Sequence, residues 1–115
     1  MVNDKPLVWL HGEVKTPPFS PKARLDAGGL LRRLQRGETL GLPHSRPMPI
    51  IAPGCHELRL RDGGHNWRIM YNVSEDVILV LDVFSKKTSE TPNAVINDCR
   101  RRVKSFNRLT EGKGF

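Results

Sequence analysis

Between Cys55 and Phe84 the chain carries three strand-like runs, Cys55 to Arg61, Asn66 to Val73 and Val77 to Phe84, separated only by Asp62-Gly63-Gly64-His65 and Ser74-Glu75-Asp76. Short polar, glycine-containing turns join neighbouring antiparallel strands, so this stretch predicts a three-stranded meander. Alternation assigns the faces: Leu58 and Leu60 point one way with Trp67, Ile69, Tyr71 and Val73, and Glu57, Arg59 and Arg61 point the other way with Arg68 and Met70. Matching these faces across a four-residue loop sets Arg59 directly opposite Arg68. In the second hairpin, a three-residue loop that matches Tyr71 with inward-facing Leu79, Leu81 and Val83 sets Arg68 opposite Asp82.

Opposed arginines are the most informative consequence of this register. Like charges facing each other on adjacent strands destabilise the pair, and an anion held between them removes the conflict. A purely structural alternative is that Asp82 and Glu57 neutralise the two arginines in an exposed ionic network of little energetic weight. Lys86 and Lys87 follow the strand that carries Asp82 and can reach the same side, although lysines in such places commonly only solubilise.

The rest of the chain builds a covering layer. Leu7-Val8-Trp9-Leu10, within residues 6 to 11 and ended by Gly12, predicts a first strand. Ser20 as N-cap, Pro21 in the first turn and apolar Ala23, Ala27, Leu30, Leu31 and Leu34 predict a helix over 20 to 36, stopped at Gly37. Gly28-Gly29 weakens that helix unless something packs closely there. Pro43, Pro47, Pro49 and Pro53 make residues 38 to 54 extended and irregular. Thr91 as cap and Pro92 predict a last helix over 92 to 107, with Val95, Cys99, Val103 and Phe106 on one face and a frayed tail beyond Asn107. The expectation is one α+β domain over residues 1 to 115, with a core from about 5 to 106, in which helices pack on one face of a mostly antiparallel four-stranded sheet.

Charge narrows the partners. The 115 residues carry a formal net charge of +7, which suits a polyanion such as nucleic acid or an acidic protein. Residues 22 to 46 hold six basic and two acidic groups, as do residues 92 to 115, so the excess lies outside the strands, where solvated helix faces account for most of it. The longest apolar run, Val77 to Leu81, is far short of the roughly 18 residues of a membrane span, and no signal-peptide pattern opens the chain, so a cytoplasmic protein with no membrane partner is expected. Cys55 and Cys99 fit no ligand spacing, which argues for buried reduced thiols and against structural zinc. Trp9, Trp67, Phe84 and Tyr71 read as core, and His56 as a hydrogen-bonded residue at the core edge. His11, His44 and His65 fall in loops without convergent partners, and no Ser-His-Asp order, phosphate loop or dinucleotide fingerprint is present.

The order of short motifs carries a family resemblance. Leu34-Gln-Arg-Gly37, Leu40-Gly-Leu-Pro43 with Pro47-Met48, His56-Glu-Leu-Arg59, Trp67-Arg-Ile-Met-Tyr71, and Val83-Phe-Ser-Lys-Lys-Thr88 before Thr91-Pro92 resemble the phage-related, HigB-like branch of the RelE/ParE toxin superfamily over about residues 5 to 106. The resemblance implies a RelE-like fold and the toxin of a type II toxin-antitoxin module: a ribosome-dependent endoribonuclease that cuts mRNA and is silenced by a cognate antitoxin protein. It implies that Arg59 and Arg68 match basic positions of the active face, that Lys86 and Lys87 match the basic pair after the last strand, and that Glu57 belongs to the Glu-Leu-Arg motif. Two positions depart from the pattern. Asn93 stands where some relatives have a tyrosine, and Asp82 stands where HigB-like relatives often have a histidine.

The chemistry so implied needs neither metal nor cofactor. Attack by the RNA 2′-hydroxyl requires a proton acceptor there, cations on the phosphorane-like oxygens and a proton for the 5′-oxygen. Arg59 and Arg68 suit the phosphate, Arg61, Lys86 and Lys87 extend the RNA-contacting set, Lys87 or Glu57 would act as base, and Lys86 as acid or phosphate contact. Because ParE relatives inhibit gyrase, a gyrase inhibitor and a non-catalytic phage-derived module that binds nucleic acid or protein are the alternatives. The motifs are silent on oligomeric state.

Overall fold

In the computed structural model, which describes residues 4–111, the order is β1 (Leu7–Trp9), α1 (Pro21–Gln35), β2 (Ser45–Pro47), β3 (Cys55–Asp62), β4 (His65–Val73), β5 (Ile78–Ser85) and α2 (Asn93–Glu111). Five strands form one mixed sheet in the order β1-β5-β4-β3-β2. The class is α+β and most pairings are antiparallel, as expected, but the sheet has five strands rather than four and one of its pairings is parallel. β2 adds an edge strand within the stretch expected to be extended and irregular, since Pro47, lacking an N–H, is tolerated at an edge. β1 lies parallel to β5, pairing Leu7 to Trp9 with Ile78 to Val80, a partner far along the chain that local patterning cannot identify.

The first hairpin has the expected register: Arg59 pairs with Arg68, and Leu58 with Ile69. Its strands reach further into the turn than expected, Asp62 pairing with His65. The second hairpin departs from expectation. Arg68 faces Phe84, and Asp82 faces Met70. Beyond Met70 the register shifts, with Tyr71 opposite Val80, so Leu81 is the extra residue of a β-bulge. The bulge reverses the phase of β5: Ile78 and Val80 face one core, while Leu79 and Leu81 face the other. Leu79 and Leu81 therefore do not share a face with Tyr71.

Two cores exist because the helices lie on opposite faces of the sheet. Ala23, Ala27, Leu31 and Leu34 of α1 bury against Leu58, Leu60, Trp67, Ile69 and Tyr71. Ile96, Cys99 and Val103 of α2 bury against Cys55, Met70, Leu79 and Leu81. The expectation that both helices share one face is thus corrected, and β5 shows the physical reason: Ile78, Leu79, Val80 and Leu81 are all fully buried, which requires cover on both sides.

Local signals at α1 hold. Ser20 Oγ accepts from the Ala23 N–H at 3.0 Å, and Gly37 follows the helix with φ of 94°, where an L side chain would be strained. Nothing packs against Gly28 or Gly29; a Cβ at either would meet no atom within 4 Å. Each glycine costs α1 roughly 0.5 to 1 kcal/mol relative to alanine. The second cap differs from expectation. Thr91 does not cap α2, and the Pro92 carbonyl instead accepts from the N–H groups of Val95 and Ile96. α2 continues past Asn107 to Glu111, and the remainder of the expected frayed tail lies outside the described residues. Trp9, read as core, and Val73, set inward by alternation, are instead 43% and 37% exposed at strand ends. Among the described residues no helix is long and apolar enough to cross a membrane.

Candidate functional site

α2 covers only part of its face of the sheet. On the remainder, β3 presents Glu57 and, two residues on, Arg59. Cross-strand pairing sets Arg46 of β2 beside Glu57 and Arg68 of β4 beside Arg59. Lys86 follows the end of β5, its backbone N–H bonded to the Asn66 carbonyl at 2.8 Å. Consecutive strands thus deliver four cations to one carboxylate.

Glu57 is wholly buried. Its Oε1 lies 3.4 Å from Arg46 Nη2, 3.5 Å from Arg68 Nε and 3.9 Å from Arg59 Nε. Its Oε2 lies 3.8 Å from Lys86 Nζ and accepts a hydrogen bond from Thr91 Oγ1 at 3.0 Å. Arg68 and Lys86 are themselves buried, whereas the side chains of Arg59 and Arg46 remain 38% and 43% exposed. Arg68 donates from Nη1 to the Trp67 carbonyl at 3.0 Å. Glu57 Oε1, Arg46 Nε and Arg68 Nε are buried without a hydrogen-bond partner.

One carboxylate balances one of the four cations, so the cluster keeps a strong excess of positive charge with donors unspent. Burial lowers the pKa of Arg68 against the pull of Glu57, and the charges of Arg59 and Arg46 lower it further. Burial likewise lowers that of Lys86, again opposed by Glu57 and reinforced by Arg68, Arg46 and Arg59. A second anion beside them would offset part of this penalty. A cleft of about 640 Å³ opens onto the cluster, lined by His44, Arg59, Arg61, Asn66, Arg68 and Lys86. Charge-assisted, two-point bonding from guanidinium groups to a phosphate is the interaction this arrangement can make.

The expected site residues divide accordingly. Glu57, Arg59, Arg68 and Lys86 come together, and Arg61 is exposed on the wall of the cleft. Lys87 is exposed and does not line it. Asp82 is no counter-ion of Arg68: its Oδ2 lies 3.5 Å from Arg102 Nη1 of α2, and its Oδ1 accepts from the Val83 N–H at 2.8 Å. Asn93 is exposed as the first residue of α2.

Arg46, Thr91 and His44 are additions that the pattern of residues did not disclose. Arg46 depends on β2, and a three-residue strand among prolines gives no alternation to follow. Thr91 carries a cap signal but donates to Glu57 instead. His44 falls in a loop by its sequence context, yet it lines the cleft, and its carbonyl accepts from the Arg59 N–H at 2.8 Å. His65 lies in β4, stacked on Trp67.

Residues 18–104, about three quarters of the chain, match the profile of a family described as Phage derived protein Gp49-like (DUF891). No curated protein matches the chain.

Proposed function

Because the chain belongs to the phage-derived Gp49-like family, a toxin-antitoxin-related, RelE-like family, we propose that it is the toxin of a type II toxin-antitoxin module. In this reading it acts in the cytoplasm in the manner of the HigB-like branch, as a ribosome-dependent endoribonuclease, and a cognate antitoxin silences it. The observation that carries the reading is the convergence of Arg46, Arg59, Arg68 and Lys86 on buried Glu57, with Arg59, Arg68 and Lys86 lining an open cleft.

Phosphate stabilisation and leaving-group protonation both find a group there. The scissile phosphate sits over the cluster, where Arg59 and Arg68 bond its non-bridging oxygens and stabilise the charge that grows as the 2′-oxygen attacks phosphorus. Glu57 lies beneath the cations with no exposed surface, so it positions them and does not touch RNA. Lys86 has its ammonium made more acidic by burial and by three guanidinium neighbours, which suits it to protonate the departing 5′-oxygen. With Glu57 enclosed, the 2′-hydroxyl proton falls to a group outside the cluster, and Lys87, exposed one position beyond Lys86 and off the cleft wall, is the residue the family motif offers. Two products result, one ending in a 2′,3′-cyclic phosphate and the other in a 5′-hydroxyl.

The test is a translating-ribosome assay on a defined mRNA, with polyamines holding the ribosomes together after divalent metal is withdrawn. Cleavage that persists without metal, and is absent on naked RNA, supports the reading. Efficient cutting of naked RNA, or DNA damage signalling on expression without RNA cleavage, contradicts it; the second outcome marks a gyrase inhibitor.

A further inference from the structure

The cleft at the cation cluster does not end there. β2 begins only at Ser45, opposite Leu58, and leaves the far half of β3 uncovered apart from the bond between the Arg59 N–H and the His44 carbonyl. Around that open edge a second groove of about 550 Å³ runs to α1 and shares His44, Arg59, Leu60 and Arg61 with the first cleft. Its α1 wall is Leu25, Asp26, Gly29, Leu30 and Arg33, with the Asp26 carboxylate neutralised by Lys22 at 2.7 Å. Leu25 is 70% exposed, and Gly29 presents bare helix backbone on which a Cβ would meet nothing. The groove therefore offers an apolar floor and a flat, side-chain-free strip, with guanidinium groups on both walls.

We propose that this groove is a nucleotide subsite: it receives the base and sugar next to the phosphate held by the cation cluster, with the base laid against Gly29, Leu25 and Leu30. Resting on the endoribonuclease reading, the inference adds the substrate contact through which sequence context would be felt. Three features favour a nucleotide over another occupant. The groove is continuous with the phosphate cleft through shared residues, so one strand can occupy both. Arg61, exposed on the β3 wall, supplies a planar cation that can stack on a base or pair with the next phosphate, while Arg33 on the α1 wall is held by Glu38 at 3.1 Å with its terminal N–H groups left over. Gly29 weakens α1 and serves no contact inside the protein, and on the groove wall it leaves bare backbone against which a base can lie flat.

The test uses the full chain and reads binding rather than cleavage. Backbone amide spectra are recorded while the parent, Gly29→Ala and Gly29→Gln are titrated with inorganic phosphate, and then with fully 2′-O-methylated trinucleotides, which cannot be cut. Phosphate is expected to shift amides around Arg59 and Arg68 equally in all three proteins. The trinucleotide should also shift Gly28 to Leu30 in the parent, and Gly29→Gln should weaken it by on the order of tenfold while leaving phosphate affinity unchanged. Thermal melts verify the fold: Gly29→Ala should melt about 4 °C higher, because alanine favours the helix. A trinucleotide that shifts only the cation cluster, or that binds Gly29→Gln as well as the parent, overturns the proposal. So does a Gly29→Gln protein that binds the trinucleotide normally but escapes neutralisation by its antitoxin, which would assign the groove to a protein. A parent that binds as expected yet cuts no mRNA keeps the subsite and refutes the endoribonuclease reading instead.

Discussion

Arg59 and Arg68 stand directly opposite each other on β3 and β4, two like charges in the place where a stable sheet would set a complementary pair. Their repulsion is worth about 0.2 to 1 kcal/mol before screening. Glu57 offsets it only in part, at 3.9 Å from Arg59 Nε and 3.5 Å from Arg68 Nε. Arg59→Thr, which keeps a strand-favouring residue, is expected to leave stability equal or higher at low salt and to reduce RNA cleavage by roughly two to three orders of magnitude. Melts with and without millimolar sulfate at constant ionic strength provide the check, since an anion bound by the folded state should stabilise the parent more than the variant. A clearly destabilised Arg59→Thr protein with full toxicity would make the arginine structural.

Glu57 is the opposite case. Removing its charge leaves two buried cations, Arg68 and Lys86, without their counter-ion. Glu57→Gln should therefore destabilise the fold by about 3 kcal/mol. Phosphate should recover more of that loss than chloride at matched ionic strength, because it can occupy the place of the missing charge. Chemical denaturation in the two salts measures this directly, and equal effects of the two would show that the cluster does not bind anions.

Lys86 links activity and stability to pH with opposite signs. Its folded pKa lies below the usual 10.5, burial being the main cause. Between that lowered value and 10.5 the unfolded chain holds the extra proton, so stability rises with pH across this window. Cleavage should fall across the same window, because the proton donor is being lost. Lys86→Arg, which stays charged, should abolish this alkaline limb of the kcat/KM profile and flatten the stability curve. A limb that survives the substitution would assign the acid to another group.

Cys99 tests the interior of the other core. Burial, with the nearby Asp82 charge, pushes its thiol up to about 12, and Cys55 is also buried, with its pKa raised by burial. Both cysteines should resist alkylation by iodoacetamide at pH 8 until the protein unfolds, and the labelling rate should follow global unfolding in denaturant. Fast labelling of the native protein would mean that α2 separates readily from the sheet.

What could be read from residues alone follows the range of the interactions. The first hairpin was legible because Asp62 to His65 form a short turn and both strands alternate cleanly, which is how Arg59 was set against Arg68. The second hairpin was not, since the run from Val77 to Leu81 is apolar throughout and gives no phase from which to detect the bulge at Leu81. An amphipathic helix reveals its apolar side but not the sheet face it will cover, so α1 and α2 could not be separated. Of the site, Glu57, Arg59, Arg68 and Lys86 were visible by strand position and motif. Arg46 was hidden by the prolines around β2, and the enclosure of Glu57 depends on Thr91 and Lys86 closing over it from distant parts of the chain.

The central claim is that the cation cluster cuts translated mRNA, and the most direct measurement is a map of mRNA 5′-ends in bacteria after brief induction of the parent chain or of Arg68→Ala. The account predicts new 5′-hydroxyl ends clustered at the ribosomal A site within coding sequences, carried by the parent and missing from the variant. Growth arrest with an unchanged 5′-end map, or identical maps from the two proteins, would contradict it.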